Sequence, residues 1–189
     1  AGVLLARKGR GRLIGSLTQM QTIRLGKRYE HRAPLIKNFV PLAELRDLVF
    51  GGWDLFPDNM YEAAVKAGVL ERWSLEPVRK ELELVRPMPA VWDPAYLRNL
   101  KATHFKKGGS KWDLARQVMA DIREFKKRAG ADRLVMLWCG STEILPACAP
   151  VHESLAALEK GLRADDPAIP PSMIYAYAAL KLGIPYGNG

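Results

Sequence analysis

Cysteine and histidine are scarce in this sequence, which has two cysteines and three histidines in 189 residues. The spacing of Cys139 and Cys148 matches no zinc or redox motif. His31, His104 and His152 are scattered, so we expect no metal site built from them. With so few cysteines, a reduced, cytoplasmic setting is the simplest interpretation.

Long apolar runs are also missing. No stretch reaches the roughly 18 consecutive apolar residues of a membrane-spanning helix, so we expect no membrane partner. The apolar opening, Ala1–Ala6, comes before its positive charges. A signal peptide carries its positive charges before its apolar segment, so we expect no signal peptide here. Val3–Leu5 begin an apolar pattern with no N-cap before it, and we expect that the chain begins in the middle of a helix.

Acidic residues are fewer than basic residues, so the net charge is +9. This excess is compatible with a nucleic-acid partner, with a site for small anions or with basic solvated faces. The cluster Arg123–Arg128 lies at the end of a predicted helix, where cations offset the helix dipole. Aromatic residues are not interleaved with the basic runs as a stacking surface requires, so we expect no nucleic-acid binding.

Strands and helices alternate along the chain, which predicts an α/β fold with a mostly parallel sheet. The apolar runs Leu48–Phe50 and Leu134–Cys139 are predicted to be neighbouring interior strands, buried on both faces. A third strand is predicted to begin at Ile184–Tyr186. We find no linker and predict one domain over 1–189.

The helices are predicted from capping residues and apolar periodicity. The clearest runs from Lys111 to Arg128, with Ser110 as N-cap and a stripe of apolar residues at helical spacing. The other predicted helices are one ending near Lys8, one capped by Asp58 and ended by Gly68, and those over 75–84, about 151–163 and about 170–182. The last is apolar nearly all round, which is typical of a buried helix.

Two predicted strand ends carry groups suited to a ligand, because ligands of open parallel sheets bind at the carboxyl ends of strands. Asp54 follows Gly51-Gly52-Trp53 and could accept hydrogen bonds from ribose hydroxyls, or could merely cap its turn. The turn Cys139–Thr142 offers hydroxyls and backbone N–H groups, and could equally be an ordinary turn. A nucleophilic Cys139 is not expected, because no base or cation neighbours it in sequence. The glycine-rich phosphate loop of dinucleotide folds is absent, since Gly9-Arg10-Gly11 is too short and follows a helix.

Several motifs, in order along the whole chain, resemble the inositol-3-phosphate synthase family, also called myo-inositol-1-phosphate synthase. The segments that carry this resemblance are Gly15–Gln19, Asp47–Asp54 with Met60–Ala63, Leu137–Glu143, Ile169–Met173 and Gly183–Gly189. The combination of GS-x-TQ, GWD, LW-x-x-STE and PSM-x-YA with G-x-PY-x-NG is specific to that family.

The resemblance implies a Rossmann-like, doubly wound sheet with helices on both faces, and NAD as the cofactor. Members convert glucose 6-phosphate to myo-inositol 3-phosphate: NAD oxidises the C5 hydroxyl, the ketone allows C6 to attack C1, and the stored hydride reduces the product. It also implies a homo-oligomer, a tetramer in the full-length family. The alternative is a non-catalytic NAD-binding fragment.

By the same resemblance, Asp54 faces the adenosine ribose, Ala90 and Val91 line the adenine side, and Gly189 lies close to the cofactor. The turn Cys139, Gly140, Ser141 and Thr142 follows the cofactor's length. Family members commonly have Thr-Ala-Asn or Thr-Ala-Ser where this chain has Cys139-Gly140-Ser141, so contacts through the Thr hydroxyl are put in doubt. The family's phosphate loop and catalytic lysines match nothing here, and Lys101, Lys106, Lys107 and Lys111 receive no catalytic role. We therefore expect a partial chain.

Overall fold

The computed structural model of the chain describes residues 1–10, 20–140 and 142–189, with only the backbone described at Leu45. The motif Gly15–Gln19 lies outside the described residues, as does Ser141. The chain forms two compact units, one of residues 1–50 and 59–85 and the other of residues 51–58 and 86–189. The single domain expected over 1–189 stays a prediction.

The named elements of the first unit, among its described residues, are short helices. These are α1 (Gly2–Arg7), α2 (Met60–Ala67), α3 (Arg72–Leu75) and α4 (Arg79–Leu84), with 3-10 turns at Arg28–Glu30, Ile36–Asn38, Leu45–Asp47 and Glu76–Val78. Its core is formed by Leu75, Val78 and Leu82, against which apolar side chains of α1 and α2 pack. The helix predicted over 75–84 is divided at Pro77, which lacks the N–H that a continuous helix needs at that point.

The N-terminus of α2 corrects a predicted cap. Asn59, not Asp58, is the N-cap: its side-chain oxygen accepts from the N–H groups of Tyr61 and Glu62, each at 3.0 Å. Glu62 accepts in return from the Asn59 N–H at 2.9 Å, which completes a capping box and satisfies the free donors of the first turn. The predicted end is confirmed, since Gly68 has a left-handed φ of 65°.

The second unit holds the longer helices and all the named strands of the described chain. Its helices are α5 (Lys111–Ala129), α6 (Leu155–Arg163) and α7 (Pro171–Lys181), with a 3-10 turn at Pro150–His152. Its strands are β1 (Trp53–Asp54), β2 (Met88–Pro89), β3 (Met136–Trp138) and β4 (Tyr186–Asn188). They pair in two parallel two-stranded sheets, β1 with β2 and β3 with β4. Parallel strands joined through helices make this an α/β arrangement.

The helices of this unit form where their patterns predicted them. Ser110 caps α5 by accepting from the Asp113 N–H at 3.2 Å, and Gly130 ends the helix with a φ of 59°. The core gathers the buried stripe of α5 with α6 and α7, and its members are Val91, Ala115, Val118, Met119, Ile122, Val151, Leu162, Ile169, Ile174, Tyr175, Tyr177 and Ala178. The prediction of a buried α7 is confirmed.

The strand predicted over Leu48–Phe50 is wrong. These residues form no strand, and the side chains of Val49 and Phe50 are about half exposed, at 53% and 49%. Pairing begins beyond them, where the Met88 N–H donates to the Gly52 carbonyl at 2.9 Å and Trp53 lies opposite Met88. A short apolar run indicates a tendency to be buried but does not fix where a partner's backbone is available.

The strand predicted over Leu134–Cys139 is confirmed over Met136–Trp138, but its predicted surroundings are wrong. Leu48–Phe50 forms no strand that could pair with it, and β1, the strand that follows Leu48–Phe50 in the chain, lies in a different sheet from β3. Only one face of β3 is covered: Met136 and Trp138 pack against the core, whereas Val135 and Leu137 are each 69% exposed. Within the described residues no helix covers the second face. The strand expected to begin at Ile184 starts two residues later, at Tyr186.

Among the described residues, no helix is long and apolar enough to cross a lipid bilayer. No cluster of His, Cys, Asp and Glu in the same part of the chain is arranged to hold a metal ion.

Candidate functional site

A cavity of about 410 Å³ opens in the second unit where β1 and β3 end. Its walls include β1 with the glycines before it, the stretch from Met88 to Val91, the turn after β3, and Tyr175 of α7. Its floor is apolar, with Ile122 and Phe125 of α5 among its members. We call this space the strand-end cavity.

The strand-end cavity brings together most of the residues singled out from the sequence. It is lined by Asp54, Ala90, Val91, Cys139, Gly140 and Thr142. Gly189 is not among the lining residues, although its N–H donates to the Trp138 carbonyl at 3.3 Å and so holds it beside β3. Ser141 lies outside the described residues.

Asp54 caps its own turn. Its Oδ1 accepts from the Phe56 N–H at 3.0 Å, which is the local role that the sequence left open as an alternative. Its backbone carbonyl lies 3.2 Å from Nδ1 of His104, which fixes the strand end from a second direction. Oδ2 of the carboxylate has no partner among the residues that the structure describes, and the side chain is exposed, so one oxygen can still accept from a ligand.

Ala90 and Val91 offer apolar surface and little else, because their backbone groups are engaged. The Ala90 N–H donates to the His104 carbonyl at 3.2 Å, and its carbonyl accepts from the Lys106 N–H at 2.8 Å. The Val91 N–H donates to the Tyr175 hydroxyl at 2.8 Å. Both residues are buried and line the cavity, so they form an apolar wall suited to a ring system.

The turn after β3 is closely packed at its start and anchored at its end. A Cβ on Gly140 would lie 2.7 Å from Cζ2 of Trp138, so the backbone approaches the indole as only glycine allows. Cys139 is an exposed free thiol. Beyond Thr142, the Ile144 N–H donates to the Tyr96 carbonyl at 3.1 Å.

Glu143 ties this turn to α7. Its Oε2 accepts from the Ser172 N–H at 3.0 Å, in the first turn of that helix, where a carboxylate is favoured. Burial raises the pKa of the Glu143 carboxyl, and the hydrogen bond from Ser172 opposes that rise. Two sequence motifs far apart in the chain, STE and PSM, are therefore joined in space.

Sequence patterns predicted only a buried helix around Tyr175 and did not place this residue at the cavity. Tyr175 is 3% exposed and lines the cavity. Its ring lies 5.1 Å from that of Trp53 and 5.3 Å from that of Trp138, centroid to centroid. Burial raises its pKa, so the phenol stays protonated. Periodicity identifies a buried face but not which neighbours it meets.

A buried ion pair supports the other side of Trp53. The Trp53 indole N–H donates to Oδ2 of Asp121 at 2.7 Å, and the same oxygen lies 2.6 Å from Nζ of Lys106. The Lys106 side chain is only 6% exposed. Lys106 therefore has a structural partner in Asp121.

Comparison with known proteins gives one consistent result. The NAD-binding part of the family described as myo-inositol-1-phosphate synthase matches residues 6–189. Inositol-3-phosphate synthase 1 of Bacteroides thetaiotaomicron is 46% identical over the whole chain, which spans 43% of that protein. Inositol-3-phosphate synthase 1 of Oryza sativa subsp. japonica is 34% identical, again over the whole chain and 40% of that protein.

A solved structure agrees with these matches. The crystal structure of inositol-3-phosphate synthase from Caenorhabditis elegans superposes with a TM-score of 0.87 at 25% identity, covering 98% of this chain and 40% of that one. The chain thus spans about two fifths of the length of the relatives it matches. Because the family match runs from residue 6 to residue 189, the chain belongs to the myo-inositol-1-phosphate synthase family, whose cofactor is NAD.

Proposed function

We propose that this chain is the NAD-binding part of a longer inositol-3-phosphate synthase, which converts glucose 6-phosphate to myo-inositol 3-phosphate. The observation that carries the proposal is the strand-end cavity, which gathers Asp54, the wall of Ala90 and Val91, and the turn after β3 in a chain of this family. The share of each relative that the chain spans supports the view that the rest of the enzyme is supplied elsewhere.

The described residues of the cavity fit NAD. An adenine ring needs an apolar wall, which Ala90 and Val91 supply, and a ribose needs an acceptor, which Oδ2 of Asp54 supplies. The turn from Cys139 to Thr142 would run along the rest of the molecule, with Gly189 nearby, and we keep Ser141 in this set from the sequence. No Lys or Arg occurs among the cavity's described lining residues, so the pyrophosphate needs partners from outside this lining.

NAD, when bound, supplies a hydride acceptor that later returns the hydride, so that the net reaction is an isomerisation. The part of this chain is to bind and orient that group, through the carboxylate of Asp54, the apolar wall and the backbone of the turn after β3. No described residue is assigned to proton transfer at the sugar. Lys106 and Lys111 are buried in ion pairs with Asp121 and Asp93, at 2.6 and 3.8 Å, which leaves them structural.

The proposal includes a Rossmann-like, doubly wound sheet for the longer enzyme, with helices on both faces, and a single domain over 1–189. The parallel pairing of both sheets and the similarity to the nematode structure support it. It also includes a homo-oligomer and a cytoplasmic setting, the latter supported by two exposed free thiols.

Calorimetric titration with NAD tests the binding step, and the two cysteines provide a matched pair of variants. Cys139→Trp places an indole at the lining of the cavity, whereas Cys148→Trp makes the same change at an exposed position outside the lining. We expect NAD binding by the unaltered chain and by Cys148→Trp, and its loss in Cys139→Trp. Equal binding by both variants, or none by the unaltered chain, contradicts the proposal.

The alternative is a non-catalytic NAD-binding fragment. Turnover of glucose 6-phosphate by the 189-residue chain, measured alongside a longer protein that contains it, separates the two. Titration with duplex DNA completes the test, because binding that falls steeply with salt, without NAD affinity, would favour a nucleic-acid partner.

A further inference from the structure

Tyr175 contacts all three segments that form the walls of the strand-end cavity. Its hydroxyl accepts the Val91 N–H at 2.8 Å, and its ring meets Trp53, which precedes Asp54, and Trp138, which precedes Cys139. No other side chain of α7 is among the residues that line this cavity. Tyr175 therefore contacts a residue in, or directly next to, each of the three groups that are predicted to contact the cofactor.

Two of these contact residues, Trp53 and Trp138, and α7 itself are held by further hydrogen bonds. The Trp53 indole is fixed by its hydrogen bond to Asp121 at 2.7 Å, and Trp138 accepts the Gly189 N–H at 3.3 Å through its carbonyl. Glu143 holds α7 to the turn after β3 through Ser172 at 3.0 Å. Because these hydrogen bonds tie the wall residues to neighbouring elements, we expect a change at Tyr175 to move the walls instead of being absorbed locally.

We infer that Tyr175 is a positioning residue for the cofactor, which sets the spacing between Asp54, the wall of Ala90 and Val91, and the turn after β3. This inference rests on the proposed function, since it assumes that NAD occupies the strand-end cavity. Tyr175 acts through the residues that it contacts: its hydroxyl fixes Val91, and its ring separates the two tryptophans. A site of this kind depends on supporting residues that hold the contacting groups within a fraction of an ångström.

Tyr177 offers a matched control on the same helix. It is also buried, at 4% exposed, and its hydroxyl donates to Glu159 at 2.9 Å, while its ring packs on Trp112. It is absent from the cavity lining. Tyr177→Phe therefore removes the same atom from the same element without touching the cavity walls.

The experiment compares Tyr175→Phe, Tyr175→Leu and Tyr177→Phe by NAD titration well below their melting temperatures, so that only folded protein is measured. We expect Tyr175→Phe to weaken NAD binding by about 3- to 10-fold, the range of one lost hydrogen bond. Tyr175→Leu should weaken it further because the ring contacts are lost as well, and Tyr177→Phe should bind within twofold of the unaltered chain. A merely structural role would lower the melting temperatures of both Phe variants and leave their affinities alike.

Amide hydrogen exchange without ligand provides the second readout. Positioning predicts that Tyr175→Phe speeds exchange at Val91 and also at the amides around Asp54 and Cys139, whereas Tyr177→Phe leaves all three unchanged. An effect at Val91 alone, or NAD affinity of Tyr175→Phe within twofold of the unaltered chain, overturns the inference. Absence of NAD binding by the unaltered chain overturns the proposed function instead, and exchange then decides whether Tyr175 organises the cavity.

Discussion

At the scale of single residues, Asp54 has a structural role in its own turn, and we propose a second role toward a ligand. One carboxylate oxygen accepts from the Phe56 N–H, and the other has no partner among the described residues. Removing the side chain would therefore disturb the turn and the proposed ribose contact together. A substitution at Asp54 that keeps an acceptor for the Phe56 N–H but removes the negative charge separates the two roles.

We predict that Asp54→Ala weakens NAD binding by about 1–3 kcal/mol, the range for losing a hydrogen bond to a charged group, in a longer protein that contains this chain. The fold should remain, because Asp54 is exposed at a strand end. Asp54→Asn, which keeps an acceptor for the Phe56 N–H, is the control for the turn. NAD affinity and ligand-free thermal melting are the measurements. Unchanged affinity, or instability without a separate loss of binding, would leave Asp54 as a turn cap only.

A second residue-scale prediction concerns Asp121, which satisfies both the buried ammonium of Lys106 and the indole N–H of Trp53. Asp121→Leu should lower the free energy of unfolding by about 3 kcal/mol, because it leaves a buried charge and a buried donor without partners. Urea unfolding measures this. Adding Lys106→Met removes the unpaired charge, so the double variant should recover part of the loss; if it is less stable than Asp121→Leu alone, the pairing is not the cause.

At the scale of secondary structure, the sequence predicted helices better than strands for a physical reason. Ser110, Gly130 and Gly68 act within one turn of their own positions, so their effect can be read locally. The strands here are two or three residues long, and their existence depends on partners more than 30 residues away, such as Met88 for Trp53. The apolar run Leu48–Phe50 looked like a strand because hydrophobicity alone does not report pairing.

Gly161 within α6 gives a prediction at this scale, in which helix propensity and packing oppose each other. Gly161→Ala should gain about 1 kcal/mol of helix propensity. A Cβ there would collide with Cγ2 of Val151 and lie 3.1 Å from Cδ1 of Ile169, in a core where overpacking costs about 1–3 kcal/mol. We expect a net loss of stability, measured by chemical denaturation.

Relief of the contact checks the cause. In Gly161→Ala combined with Val151→Ala, the methyl group on residue 161 has room. The double variant should therefore lose less stability than the sum of the losses in the two single variants. Additive losses would mean that the contact with Val151 is not what makes the glycine necessary.

At the scale of the whole molecule, the family resemblance predicted more than the physical patterns did. Six segments of ordered motifs indicated the family, which the match over residues 6–189 confirms. Patterns alone gave an α/β chain and two strand ends with ligand-binding character. They could not find Tyr175, since its role comes from meeting Trp53, Val91 and Trp138, which are distant in sequence. Contacts across such separations are fixed by the assembled fold and leave no local signal.

The buried tyrosines of the second unit make the folded molecule less stable as the pH becomes alkaline. Burial is the main cause that raises the pKa of Tyr177 to about 12 and that of Tyr186 to about 12, and it raises that of Tyr175 too. In the unfolded chain a tyrosine ionises near pH 10. Between about pH 10 and pH 12 the unfolded chain therefore binds fewer protons than the folded one, and the free energy of unfolding falls as pH rises.

We predict a decline on the order of 1 kcal/mol per pH unit for each tyrosine that is ionised only after unfolding. Urea unfolding at a series of pH values measures the slope, and tyrosinate absorbance shows whether ionisation accompanies unfolding. Lysines also lose protons in this range, so the informative quantity is the difference between the unaltered chain and Tyr177→Phe, which share the same lysines. The variant should lose stability less steeply above pH 10 because one phenol has been removed. Parallel slopes would mean that Tyr177 ionises equally readily in the folded and unfolded chain, and that its burial has no consequence for the pH range in which the molecule stays folded.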